Sequence, residues 1–358
     1  MLNLFKTKIN SSWGLHITDR HLRSVEISGD RKKGWHIERI GKVDLPLGLV
    51  ENGLIKNPEI LKNFFTQLKD KTFPSPQKSS VVIVNLAEEH IFSRVIQMPP
   101  MTKEEMDEAI QWEAESNIPL PIEKVYLSWE PLENAVDQKN SVLLTATPKN
   151  IIDDLTKTLA AAKLTPIAIE PESTALLRSL SQTQSAASFE APLLIVNLRE
   201  YCTHIIAFDS KVTALCTTSE HASQGFDAAI ENTFKIKKED AEKFRQRIGW
   251  NTNEELGRKL IEATASALSV LKKDIGGAMS FFNNKSGKDI KKILLTGEKR
   301  GKWNGFEKHL EKEIGVPVEW QADWNPSIWP TNCPYVTEEK EEYNIGVGLA
   351  LRKLEEEI

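Results

Sequence analysis

The chain is poor in the residues that mark a catalytic or metal-bound centre. Only three cysteines occur in 358 residues, Cys202, Cys216 and Cys333. Their separation matches no zinc-ligand spacing, so no metal site is assigned, and free thiols fit a reducing compartment. The histidines form no cluster in sequence. His16, His21 and His36 are the set that a β-meander can bring together, and separate surface positions are the plainer reading. No P-loop, G-x-S-x-G, H-E-x-x-H or C-x-x-C motif is present, which removes the common signatures of phosphate-loop, serine-hydrolase, zinc-protease and dithiol chemistry. No apolar run approaches the ~20 residues needed to span a bilayer. The first residues, MLNLFKTKINSSW, lack the apolar core of about 7–15 residues of a secretory signal. A net charge of −5 leaves no electrostatic footprint for nucleic acid. These absences point to a cytoplasmic protein.

What is present is hydrophobic periodicity. Segments Trp13–Ile17, Leu22–Ser28 and Trp35–Asp44 read as a β-meander. Asn57-Pro58 opens a helix to about Lys71, with Ile60, Leu61, Phe64, Phe65 and Leu68 on one face. Ser80–Leu86 is a continuous apolar run, as expected of a buried strand. LLIVNL, HIIAFD and VTALCT, from Leu193 onward, repeat the opening meander. Three helices follow, at 225–234, 238–248 and 253–282, then a buried strand at 291–295, a helix at 305–314 and a strand at 316–320. Trp320, Trp324 and Trp329 lie in a Pro-interrupted loop and read as a cover, and 344–358 reads as a terminal helix. The Ser/Gln/Ala-rich stretch at 179–192 reads as a linker.

The densest local signal runs from Phe92 to Trp129. Phe92–Met98 reads as a strand stopped by Pro99 and Pro100. Thr102 and Glu105 form a T-x-x-E capping box, and Pro119 and Pro121 end the helix that follows. At 100° per residue, Met106, Ala109, Ile110, Glu113 and Ala114 share one side, with Trp112 at its edge. Glu113 in that stripe has two readings. It pairs with a strand residue such as Arg94 while Trp112 packs at the rim, or it belongs to a docking surface with Trp112 as aromatic anchor.

The runs SRVIQMPP, EAIQWEAESNIPLP and VYLSW resemble the PilM family of type IV pilus assembly proteins. So do GLIKNPEILKNFFTQLK (53–69), SVLLTATPKNIIDDLTKTLAAAKLTPIAIEPES (141–173), KKILLTGEKRGKW (291–303) and NIGVGLALR (344–352). The blocks occur in family order over nearly the whole chain. The resemblance implies an α/β, two-lobed, actin-like fold of the duplicated ribonuclease H type, related to FtsA. It divides the chain into a first lobe (1–87), an inserted α+β subdomain (88–168) and a return with linker (169–187). A second lobe (188–330), with a helical part near 225–284, precedes a C-terminal helix packed back on the first lobe (331–358).

Actin-like relatives hold ATP and Mg²⁺ between the lobes through Asp- and Gly-bearing turns. Close approach to phosphate needs glycine, and Mg²⁺ needs hard oxygen ligands. Here the first turn is His16-Ile17-Thr18 with Arg23 downstream, the second is Asn197-Leu198-Arg199, and the third is Thr296-Gly297-Glu298-Lys299. Against the family pattern the first turn has His16 for Asp and Thr18 for Gly, the second has Asn197 for Asp and Arg199 for Gly, and the third keeps one glycine of three. The reading is a degenerate nucleotide site, no cofactor and no catalytic residue. The opposing reading has Arg20, Arg23, Arg199, Lys299 and Arg300 holding an anion. By resemblance the chain is a scaffold at the cytoplasmic face of the inner membrane. It is expected to bind the N-terminal cytoplasmic tail of a PilN-type protein through Arg94, Ile96, Trp112, Glu113, Ile118, Pro119 and Leu120. The fold also admits self-association. The alternatives are an actin-like ATPase or filament former, and the actin-like component of a type II secretion platform.

Overall fold

The computed structural model describes residues 11–30, 34–99, 101–132, 140–183, 192–199, 202–209, 212–219, 223–297, 303–335 and 340–355. Two five-stranded sheets carry the architecture. In the first, β1 (Ser11–Ile17), β2 (His21–Asp30) and β3 (Gly34–Asp44) form the antiparallel meander, and a two-residue ladder of β4 (Val50–Glu51) and β5 (Leu54–Ile55) follows. After α1 (Pro58–Asp70), β6 (Val81–Leu86) pairs parallel to β1. In the second sheet β11 (Leu193–Leu198), β12 (Thr203–Asp209) and β13 (Val212–Ser219) form the meander, with β14 (Lys292–Gly297) and β15 (Val318–Trp320) parallel beyond β11. With β10 (Thr165–Pro171) at the far edge, strand orders β3-β2-β1-β6-β10 and β13-β12-β11-β14-β15 are the same topology twice. The duplication read from the repeated meander is therefore real.

Local chemistry explains the helix starts. Asn57 caps α1 by accepting from the Ile60 amide, and Pro58 occupies the first turn, where its missing N–H costs nothing. Leu61, Phe65 and Leu68 are buried, whereas Ile60 is exposed, so the apolar stripe is narrower than the sequence suggests. Thr102 and Glu105 form the expected capping box at α2 (Lys103–Asn117).

Three boundaries differ from expectation. The inserted unit consists of β7 (Phe92–Met98), α2, β8 (Val125–Leu132) and β9 (Asn140–Pro148), with strand order β7-β9-β8. Helix α3 (Lys149–Ala161) and β10 (Thr165–Pro171), expected to complete it to residue 168, belong to the first lobe. β10 pairs parallel to β6, and Leu155 and Leu159 pack with Trp13, Leu15 and Phe65. Periodicity sets the type of an element but not the sheet it joins. At the other end, Trp324 and Trp329 pack against Val25, Ile27, Ile37 and Ile40 of the first sheet, so the chain has returned to the first lobe before residue 330. Trp320 stays with the second-lobe core. Finally, α4 runs from Glu172 to Thr183 and takes in the start of the expected linker; 184–191 lie outside the described residues.

The second lobe is completed by α5 (Ser223–Phe234), α6 (Lys238–Ile248), the long α7 (Glu255–Ser286) and α8 (Phe306–Ile314). Trp250, Trp303, Phe226 and Phe306 pack as an aromatic group inside it. α4 and α9 (Asn344–Glu355) lie between the sheets. Ala175, Leu176, Ile345 and Leu349 share one apolar cluster with Ile83 of the first sheet and Ile195, Ile206 and Leu294 of the second. The crossing of α4 and α9 is close enough that a Cβ on Gly348 would stand 1.8 Å from the Ala175 carbonyl oxygen. Among the described residues no helix is long and apolar enough to cross a membrane.

Candidate functional site between the lobes

The two pseudo-equivalent hairpins, β1–β2 and β11–β12, end facing one cleft. Their registers match: His16 pairs with Arg23 in the first, and Asn197 with His204 in the second. All four side chains are buried. Glu172, the first residue of α4, stands where the two ends meet and is itself buried. It contacts His16 Nε2 at 3.3 Å, accepts from Asn85 Nδ2 at 2.8 Å, and accepts from Arg199 Nη1 at 2.5 Å. Asn85 also accepts from the Ile17 amide at 2.7 Å, which fixes the end of β1. The Glu172–Arg199 pair thus joins the first lobe to the second through a part-buried contact.

Electrostatics follow from this packing. Burial opposes the charge of Glu172, but Arg199 above all, with His16 and His204, holds its carboxyl at about 2. Burial depresses His16 below its usual range and outweighs the attraction of Glu172. His204 goes the other way. Burial opposes its charge, yet hydrogen bonds to Cys202 and Glu89 push it up to about 10. Glu89 is likewise brought down to about 2, against burial, by His204.

The remaining turn residues have internal partners. Thr18 accepts from the His21 amide at 2.9 Å. Asp19 accepts from the amides of Asn52 and Gly53 at 2.9 and 3.0 Å. Arg23 is ion-paired with Glu342 at 3.1 Å, and Lys42 reaches the same carboxylate at 2.7 Å. Thr296 hydrogen-bonds Gln321 and accepts from Asn344 at 3.2 Å. Gly297 has φ of 125°, and a Cβ there would lie 2.0 Å from the Leu198 carbonyl oxygen, so the surviving glycine is required by the strand beside it. Glu298, Lys299 and Arg300 lie outside the described residues.

Several expectations change here. Arg23 and Arg199, considered as anion ligands, are engaged by Glu342 and Glu172. His16 and His204 converge on Glu172, whereas His21 bonds Asp44. Glu172, Asn85, Glu89 and His204 were not singled out from sequence. The duplication offered one signal: His204 follows Asn197 by the same seven positions as Arg23 follows His16.

The inserted unit divides the expected peptide-binding set. Ile96 and Ile118 are core residues packed with Met106, Ile110 and Ala114, so neither faces a partner. Arg94, Glu113, Pro119 and Leu120 are exposed, and Trp112 is 74% exposed. Glu113 leaves the apolar stripe and contacts the Asn117 side chain on its own helix rather than pairing into the sheet. Trp112 as a packed core residue is excluded by its exposure.

The family model for the type IV pilus assembly protein PilM matches residues 14–354. Among solved structures, a PilM–PilN type IV pilus biogenesis complex is 23% identical, covers 96% of this chain and 98% of its own, and superposes with a TM-score of 0.77. The ethanolamine utilization protein EutJ from Carboxydothermus hydrogenoformans is 12% identical over 95% and 89% of the two chains, with a TM-score of 0.53. Duplicated sheets, an interlobe cleft and an inserted unit after β6 agree with this match, and the chain belongs to the PilM family of type IV pilus assembly proteins, with their actin-like fold.

Proposed function

We propose that this chain is a non-catalytic scaffold of type IV pilus assembly. It acts at the cytoplasmic face of the inner membrane and captures the N-terminal tail of a PilN-type protein on its inserted unit. The observation that carries the reading is Trp112, a large aromatic residue left 74% exposed on a well-capped helix. Leu120, also exposed, sits between Pro119 and Pro121, which hold it at little entropic cost. The likeness to a PilM solved with PilN supports the choice of partner.

The cleft complements this role. A nucleotide site needs approachable backbone and acidic metal ligands at the hairpin ends. The hairpin ends instead carry His16, Thr18, Asn197 and Arg199, and the part-buried Glu172–Arg199 pair links the lobes there. The proposed cleft is a structural closure that takes no ATP·Mg²⁺.

The partner test is a titration with a synthetic N-terminal peptide of a PilN-type protein. Trp112→Ala is expected to weaken binding by about 2 kcal/mol, a hot-spot magnitude, with the melting temperature nearly unchanged because the side chain is exposed. Unchanged affinity would show that the partner binds elsewhere.

A further inference from the structure

Beside the cleft lies a side-chain cluster that the scaffold reading does not use. Glu89 follows β6 in the first lobe, and Cys202 and His204 come from the β11–β12 hairpin of the second. One ligand-type atom from each residue lies within 4.8 Å of the others. His204 Nε2 stands 3.5 Å from Cys202 Sγ and 3.4 Å from Glu89 Oε1. We propose that Glu89, Cys202 and His204 form a site for a thiophilic divalent metal of the zinc class, bridging the two lobes at the mouth of the cleft.

The geometry carries this. Zinc bonds of about 2.3 Å to sulfur and about 2.0–2.2 Å to nitrogen and oxygen imply tetrahedral edges of about 3.3–3.6 Å between ligand atoms. Both separations fall there. Hydrogen bonding alone also accounts for such distances, so the discriminating observation is the far side of the imidazole. His204 is 1% exposed, and its Nδ1 has no hydrogen-bond partner but lies 3.8 Å from Glu172 Oε2. That separation is too long for a hydrogen bond, so Glu172 acts on the ring as a nearby charge, on the side where a carboxylate–histidine–metal arrangement places its outer carboxylate. Cys202 and His204 are two apart, so an extended chain presents them on one side. A mixed sulfur, nitrogen and oxygen set favours zinc over magnesium or calcium. A cavity lined by Asp19, Glu89, Glu172, Arg199 and Cys202 gives an entry path and room for a water as fourth ligand. Arg199 is the opposing charge nearby, and Glu172 neutralises it at 2.5 Å.

The test uses the full chain, stripped with a chelator and titrated with Zn²⁺ and with Co²⁺ as a spectroscopic stand-in. One equivalent is expected to bind, Co²⁺ is expected to show a thiolate charge-transfer band, and the melting temperature is expected to rise because the ligands come from both lobes. Cys202→Ser keeps the hydrogen-bonding role and removes the thiolate; it and Glu89→Gln are each expected to weaken binding at least tenfold. These positions are partly exposed, so the variants should fold where a His204 change would threaten the core. No saturable binding, no thiolate band, or full affinity in Cys202→Ser would each overturn the assignment.

Discussion

At the scale of single residues, Glu172 and its partners decide how the cleft is built. Glu172 is buried and ionised, and Arg199 is its closest cation. Removing one member of such a pair leaves a charge buried and unmatched, which costs more than the pair itself contributes. Arg199→Ala is therefore expected to lower unfolding stability by about 3 kcal/mol, measured by denaturant titration. A change within experimental scatter would mean that the pair is solvated in solution. His16 supplies a pH test. Its unfolded form titrates at its ordinary value of 6.5, whereas burial lowers the folded value. Below 6.5 the unfolded chain therefore binds a proton that the folded one does not, so stability falls as pH falls from 6.5 toward the folded value; above 6.5 the residue makes no such contribution. His16→Gln keeps an amide donor for Glu172 and does not titrate. The wild-type protein should lose stability relative to this variant by up to about 1.4 kcal/mol per pH unit below 6.5. Parallel pH curves would refute the assignment of a buried, neutral His16.

At the scale of elements, the pairing of α4 with α9 holds the lobes together. Gly348 lets the helices approach, since a Cβ would stand 1.8 Å from the Ala175 carbonyl oxygen. That atom is backbone and cannot rotate away. Gly348→Ala should therefore force the helices apart and destabilise the fold by about 2 kcal/mol, despite alanine's better helix propensity. A melting temperature equal to or above wild type would mean that the crossing is looser than described. The inserted unit makes the complementary point. α2 was legible to within a residue because its start is a local capping box and its end is followed by Pro119. Glu113 was misplaced because 100° per residue puts it within the apolar stripe, whereas the face that the sheet beneath actually buries is the narrower one of Met106, Ile110 and Ala114. Nothing local distinguishes a rim position from a buried one.

At the scale of the whole molecule, the lobes share one apolar cluster through α4 and α9, and they share the Glu172–Arg199 contact. A nucleotide entering between the hairpin ends would lie against that contact, in a cavity lined also by Thr18, Asp19 and Arg20. Calorimetric titration is expected to show no saturable ATP·Mg²⁺ binding below the millimolar range, a limit of roughly −4 kcal/mol. A micromolar constant would favour the actin-like ATPase reading.

Much of this architecture was legible in one dimension. Repeated meanders gave away the duplicated sheets, and Asn57, Thr102 and the proline pairs marked helix ends. Those features are local: period, cap and turn are properties of a few adjacent residues. The sequence alone also established that the three turns depart from the nucleotide-binding pattern, since residue identity suffices for that. Tertiary structure decided which sheet α3 and β10 join, which of Arg94, Ile96, Trp112 and Ile118 face outward, and what Arg23, Arg199 and His204 touch. Those outcomes depend on partners far away along the chain, as His16 and Glu172 are, separated by 156 positions. A buried charge reveals only that some partner must exist; which one it finds is set by how the two lobes close on each other.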